Sequence, residues 1–459
     1  MMRQLACFLM TVSLAAAVLL KGGAVPSQWP WTALGVSLAA CLALCLTPRL
    51  DRASHGPWGS AILTALLGWM VFQLVPLPPA VVAFLSPLRW SDVLAARMAT
   101  GQDPRAWVAL SVAPPATWER LLDVVPAMAV FLAAREAARW WAGRLWIAVA
   151  PVLAIAWLES LLGLAQFSAH RAEGSPSVTG TYVNYDHFAG LLELAFPLAV
   201  MAAVAVWRNG TTRPAQPVRA ALRTAAMLFV GACLLMGVVL SSSRMAVFST
   251  LAAVALTALA VLVSRRRALP NRRLRWLWLI AIVLPPMVFA SLSTRQLVLR
   301  FADLTATTDL SKDTRMEIWA DTLRVVTAYR WTGCGLGAYE HGLYRFKNVA
   351  PLNTVDFAHN DYLQILSELG PPGFLLVAAL AACVLKRTVK VAAAGPGAAN
   401  WEWAVGLMAA FLALGLHGLA DFNLYIPANA LALAWFAGVA VSLPLSPVAP
   451  AHGGLTCIA

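Results

Sequence analysis

Three side chains pair a permanent charge or a titratable ring with a place between apolar runs: His359, Arg244 and Arg315. His359 stands just before Asn360 and Asp361 and opens a run that reads as a helix, with Leu363, Leu366 and Leu369 spaced as an apolar stripe. An imidazole near a helix N-terminus loses proton affinity to the positive end of the dipole, which favours the neutral form a general base needs. A structural histidine bonding a loop carbonyl reads equally well from these residues. Arg244 closes Ser241-Ser242-Ser243-Arg244, a tight turn between two apolar runs with three hydroxyls and no acidic neighbour. Arg315 lies in Asp313-Thr314-Arg315-Met316-Glu317-Ile318-Trp319, which has helix spacing and a cap in Asp313 or Thr314. Arg171 follows His170 after another apolar run. A guanidinium's planar fork suits phosphate and diphosphate. The plain alternative for each arginine is snorkelling to lipid headgroups or pairing with a carboxylate.

Other segments offer weaker chemistry. Gly180-Thr181-Tyr182-Val183-Asn184-Tyr185-Asp186-His187 leads into an apolar run, and Tyr182 and Asn184 there could hold a sugar or belong to an interfacial aromatic belt. Gly333-Cys334-Gly335-Leu336-Gly337 has a phosphate-cradle look but no following Lys-Ser/Thr, so a tight turn with close backbone packing is expected. Asp123, Glu159, Glu193 and Asp421 fall within or beside apolar runs, where structural pairing is favoured over an ion pathway. With no HExxH, no paired carboxylates and no Cys/His ligand set, no metal and no cofactor are expected. The seven cysteines show no metal or disulfide spacing.

The elements that must carry these residues are membrane helices. The 459-residue chain is 60% hydrophobic and only 12% charged, against about 25% charged in soluble domains. Apolar runs fall near 4–20, 31–47, 58–76, 119–134, 145–167, 187–207, 224–241, 245–263, 275–292, 372–385, 402–419 and 427–445. They are too long and continuous for barrel strands, so the fold is all-α, a polytopic membrane protein of about 12 transmembrane helices. Met1–Leu20 reads as the first span and not a signal peptide, because Lys21-Gly22-Gly23 follows it where a small-x-small cleavage site would stand. Arginines and lysines crowd the even connections: Arg135, Arg139 and Arg144; Arg208, Arg213, Arg219 and Arg223; Arg265, Arg266 and Arg267; Lys386, Arg387 and Lys390. The positive-inside rule then places both termini in the cytoplasm and the odd connections outside. The net charge of +13 is explained by those loops, without nucleic acid. Connection 76–118 is expected to hold a short amphipathic helix on the membrane face. The chain divides into 1–292, spans one to nine; 293–371, a large outer loop; and 372–459, spans ten to twelve with a short cytoplasmic tail. Chemistry in that outer loop must use a donor delivered already activated, away from ATP and nucleotide sugars.

In order along about 180 to 370, Gly180-Thr181-Tyr182-Val183-Asn184, Ser243-Arg244, Arg315 with Ile318-Trp319, Gly333-Cys334-Gly335-Leu336-Gly337, and His359-Asn360-Asp361-Tyr362-Leu363 with Glu368-Leu369-Gly370 resemble the O-antigen ligase and polymerase family of bacterial envelope enzymes. Met245 departs from the Gly the family often has after the arginine. The resemblance implies a GT-C-like glycosyltransferase in the bacterial inner membrane, with a mainly helical periplasmic loop. It would move a glycan from an undecaprenyl-diphosphate carrier to an acceptor, lipid A-core or another glycan, without metal or nucleotide. It carries the family's essential arginines to Arg244 and Arg315 and its essential histidine to His359, with Tyr182, Asn184 and Arg171 as substrate-binding candidates. Ligation to lipid A-core ranks ahead of polymerisation, and a lipid-glycan transporter or a plain membrane scaffold stands as the alternative of another class.

Overall fold

The computed structural model describes residues 2–25, 27–46, 56–170, 178–211, 217–265, 312–348, 354–396 and 398–444. Helices α1 to α10 are Met2–Leu19, Trp29–Cys45, Gly56–Phe72, Pro79–Leu85, Pro87–Thr100, Pro114–Trp140, Trp146–His170, Tyr185–Thr211, Pro217–Leu240 and Arg244–Arg265. Helices α11 to α15 are Lys312–Ala328, Tyr339–Leu343, Asp361–Ala393, Trp401–His417 and Pro427–Val441. Among the described residues there is no strand, only an isolated bridge between Leu77 and Val108. Leu, Ala and Val runs close their backbone bonds within the helix, which is the solution lipid demands. Six helices are long and apolar enough to cross a membrane, and four shorter apolar helices accompany them. The protein is therefore a polytopic, all-helical membrane protein. Each expected span falls on a described helix except 275–292, which lies outside the described residues.

Helix α8 is the centre of the bundle, enclosed by α7, α9, α10 and α14. Its Phe188, Leu191, Leu192, Leu194, Leu198 and Met201 are fully buried. Helix α15 packs along α6, and Trp435 on it donates its indole N–H to the Ala148 carbonyl of α7 at 2.7 Å. The hydrogen bonds and ion pairs between described connections gather at two ends of the bundle. At one end, Thr181 before α8 donates to Val18 of α1, Gln73 after α3 donates to Thr332 and Glu368, and Arg120 near the start of α6 meets Tyr425 before α15. At the other end, Arg208 pairs with Glu402, and Arg387 donates to the Leu443 carbonyl. The described residues of connections 76–118, 168–186, 293–371 and 420–427 thus share the end that holds His359.

Connection 76–118 forms two helices, α4 and α5; α5 buries none of its residues in the protein. The helix expected after His359 exists, but it is not one continuous rod. Gly370 breaks α13 with φ 64 and ψ −178, and Pro371 and Pro372 restart it. The buried face of its first segment also differs from the expected leucine stripe: Gln364, Ser367 and Glu368 are buried with Leu369, while Leu363 and Leu366 are half-buried. The reason is the neighbouring 333–336 turn, which presents polar backbone to that face. Cys334 N–H donates to Ser367 O at 2.9 Å and Gly335 N–H to Glu368 O at 3.0 Å. Gly333 sits at φ +70, and a Cβ there would lie 2.2 Å from Glu368 O. Close backbone packing, not a phosphate cradle, explains this glycine set.

Candidate active site

His359 is placed by the cap that follows it. Asn360 Oδ1 accepts the N–H groups of Tyr362 and Leu363, both at 3.0 Å, and so starts α13. Asn360 Nδ2 donates to Leu419 O at 2.9 Å, and Asp361 N–H donates to Gly418 O at 2.8 Å and Asp421 O at 3.1 Å. Ala358, on the other side, is held by Trp319 Nε1 at 3.0 Å to its carbonyl and by Gln364 Oε1 at 2.6 Å from its N–H. Pinned at both neighbours, His359 adopts φ 48, a left-handed conformation that a non-glycine residue occupies only when its surroundings impose it. Its ring meets the edge of Phe422 at 4.9 Å between centroids, and Phe422 stacks on Phe357 at 4.2 Å. Burial lowers the His359 pKa from 6.5 to about 4; Arg315 and His187 push the same way, while Asp421 and Asp356 oppose. The imidazole is therefore neutral at physiological pH.

Arg315 lies in the first turn of α11, a quarter exposed, with Nη2 4.0 Å from Asp186 Oδ2. Its Nε is enclosed and has no hydrogen-bond acceptor among the described residues. Asp186 also accepts the Ser243 hydroxyl. Arg244, exposed, opens α10 at the next residue. Asp186 thereby joins the turn that carries Arg244 to the helix that carries Arg315. Asn184 supports the arrangement from below, its Oδ1 accepting the Asp186 N–H at 2.8 Å. Tyr182 is buried, its hydroxyl donating to Asn429 Oδ1 at 2.8 Å, so its ring packs inside the protein against Gly22. Arg171 lies outside the described residues.

Beneath these groups runs a chain of buried ionisable side chains that sequence reading did not assemble. His187 Nε2 is 3.7 Å from Asp421 Oδ2, and His417 Nε2 is 3.8 Å from the same oxygen. His417 Nδ1 meets Glu193 Oε1 at 2.9 Å, and Ser249 donates to the other Glu193 oxygen. The acidic residues noted in the apolar runs are all paired: Asp123 with Arg120 and Trp29, Glu159 with Thr181, Glu193 and Asp421 with imidazoles. The acids and His187 stand out in the sequence singly, but not as a group, because His417 and Asp421 sit more than 220 residues from Glu193 and His187 in the chain. Among the described residues no group of three or more His, Cys, Asp or Glu side chains is arranged to hold a metal ion.

Residues 226–378 match the family model described as O-antigen ligase (Wzy_C). Over these residues, about a third of the chain, the sequence is similar to that family. A comparison with curated proteins returns no match. The matched segment contains Arg244, Arg315 and His359, whereas Asp186, His187, His417 and Asp421 lie outside it. The family is one of membrane glycosyltransferases of the O-antigen ligase or polymerase type, acting on lipid-linked glycan at a bilayer. The matched segment thus supplies the arginines and the imidazole, and the flanking helices α8 and α14 with the turn before α15 supply the groups they rest on.

Proposed function

We propose that this protein transfers a glycan from an undecaprenyl-diphosphate carrier to an acceptor hydroxyl at the periplasmic face of the inner membrane, with lipid A-core as the acceptor. The observation that carries this reading is the convergence of the capped His359 with Arg315, which acts on it electrostatically, and of Arg315 with the turn before Arg244 through Asp186, which faces Arg315 at 4.0 Å and accepts the Ser243 hydroxyl. In the reaction the acceptor oxygen attacks the anomeric carbon, and its proton passes to His359. The bond from that carbon to the diphosphate oxygen breaks, and the electron pair leaves on the diphosphate. Arg315 and Arg244 receive the charge that develops there. A fixed guanidinium pair can do for a departing diphosphate what a divalent ion does elsewhere, so the transfer is metal-independent. Attack from the face opposite the leaving group inverts the anomeric centre. Termini in the cytoplasm put this end outside, where the donor arrives already activated.

The test is reconstitution of the full chain in liposomes with a defined diphosphate-linked glycan and either lipid A-core or a second lipid-linked repeat unit, with and without EDTA. Transfer to lipid A-core that survives EDTA is expected. Chain growth on the repeat unit alone makes the protein a polymerase of the same chemistry. Activity lost on chelation and restored by a divalent ion refutes the metal-free mechanism.

A further inference from the structure

We infer that Asp421, with His187 and His417 turned onto one of its oxygens and Glu193 behind His417, is the positioning carboxylate of this site: it seats His359 and carries the countercharge for the imidazolium formed during transfer. The inference rests on the base role proposed for His359.

The seat is physical. The 418–424 turn that contains Asp421 makes bonds to both residues after His359: Leu419 O to Asn360, Gly418 O and Asp421 O to the Asp361 N–H, and the Leu424 N–H to Asp361 Oδ1 at 3.2 Å. Phe422, the residue after Asp421, presents its ring to both His359 and His187, at 4.9 and 4.8 Å between centroids. Moving the turn therefore moves the base. The countercharge is physical too. Asp421 is 2% exposed, and burial would favour its neutral form. The imidazoles of His187 and His417 overcome that and hold its carboxyl at about 2, so it stays ionised. Neither imidazole Nε2 has a hydrogen-bond partner, although both are enclosed and both face the Asp421 oxygen. The two imidazoles thus stand 3.7–3.8 Å from the carboxylate oxygen, beyond hydrogen-bond length. Asn423 Nδ2 fixes the same oxygen at 3.1 Å. Glu193, 0% exposed, orients His417 through Nδ1, as a carboxylate behind an imidazole commonly does. The charged groups that bear on His359 are Asp421 from this turn, Arg315 from α11, His187 from α8 and Asp356 from its own segment. Asp421 is the foremost of the two that favour its protonation.

Asp421→Asn and Glu193→Gln in the full-length reconstituted protein test this. The first readout needs no turnover: diethyl pyrocarbonate acylates neutral imidazole, and peptide mass spectrometry resolves His359. Wild-type labelling at pH 4 is expected at about half its pH 7 value, because a group at its midpoint is half protonated. In Asp421→Asn the ratio should rise to about nine-tenths, for a midpoint lowered by about one unit. The second readout is transfer: kcat should fall at least about tenfold while KM for the diphosphate donor stays within about twofold. An unchanged labelling ratio overturns the inference, whether or not turnover falls. Where Asp421→Asn gives no monodisperse protein, Glu193→Gln decides, since the amide keeps an acceptor for His417 while it removes the charge and the acceptor that Ser249 uses. It should shift the ratio the same way by less, and no shift overturns the inference. If the wild-type protein transfers no glycan, the proposed function falls, and the labelling ratio still decides where Asp421 acts.

Discussion

The base role proposed for His359 draws on two features, a left-handed backbone and burial that favours the neutral ring. Replacing it with alanine should lower transfer about 10²- to 10⁴-fold, with donor binding retained, measured by single-turnover kinetics on the reconstituted enzyme. Its pH dependence has a definite sign. The folded-state pKa is lowered from 6.5 to about 4, so the fold favours the neutral ring. Transfer should therefore hold level from pH 7 through pH 5.5 and fall only as pH approaches 4. A midpoint near 6.5 in the acid limb of kcat/KM would contradict this. The same shift contributes stability that is whole above pH 6.5 and is lost as pH falls through about 4. Arg315→Lys keeps the charge but loses the fork, and Arg315 already holds Asp186 only at 4.0 Å. Transfer should fall about 10²- to 10³-fold for this substitution, close to the alanine variant, read as kcat/KM for the diphosphate-linked donor.

At the scale of elements, the 333–336 turn and the first segment of α13 form a seam made of backbone. Gly333 and Gly370 face each other across it, and a Cβ on Gly370 would lie 2.8 Å from Gly333 N. Gly333→Ala combines a left-handed φ with a clash against carbonyl oxygen. It should cost at least about 2 kcal/mol and lower the thermal midpoint, checked by thermal-shift fluorescence in detergent. Part of this scale was legible in the sequence. The apolar runs marked the helices because lipid permits no other backbone solution. Polar residues stranded between them marked His359, Arg244 and Arg315. The leucine stripe misled, because Gln364, Ser367 and Glu368 are buried by partners supplied from Gln73, Tyr425 and the 333–336 turn, far away in the chain. Tyr182 reads from the sequence as a sugar-binding candidate, and only tertiary contact shows its hydroxyl satisfied by Asn429. The pairing of His187 with Asp421 was illegible for the same reason: local periodicity carries no information about a partner 234 residues on.

For the whole molecule, the described residues of the odd connections meet at the end that holds His359, while Arg208 and Arg387 make their contacts at the other. Orientation follows from a direct measurement. In a cysteine-free background, Tyr344→Cys should react with a membrane-impermeant maleimide in intact spheroplasts, while Lys390→Cys should react only after permeabilisation. The reverse pattern would turn the bundle over and place His359 on the cytoplasmic side.

The bond between Glu193 and His417 ties the middle of the polypeptide to a late helix. During synthesis, α8 leaves the ribosome more than 200 residues before α14 does. Until that later helix inserts, Glu193 and His187 wait in the bilayer without the partners that make their polarity tolerable. Maturation therefore resembles fastening a clasp: the buried pair closes only when α14 comes to lie against α8.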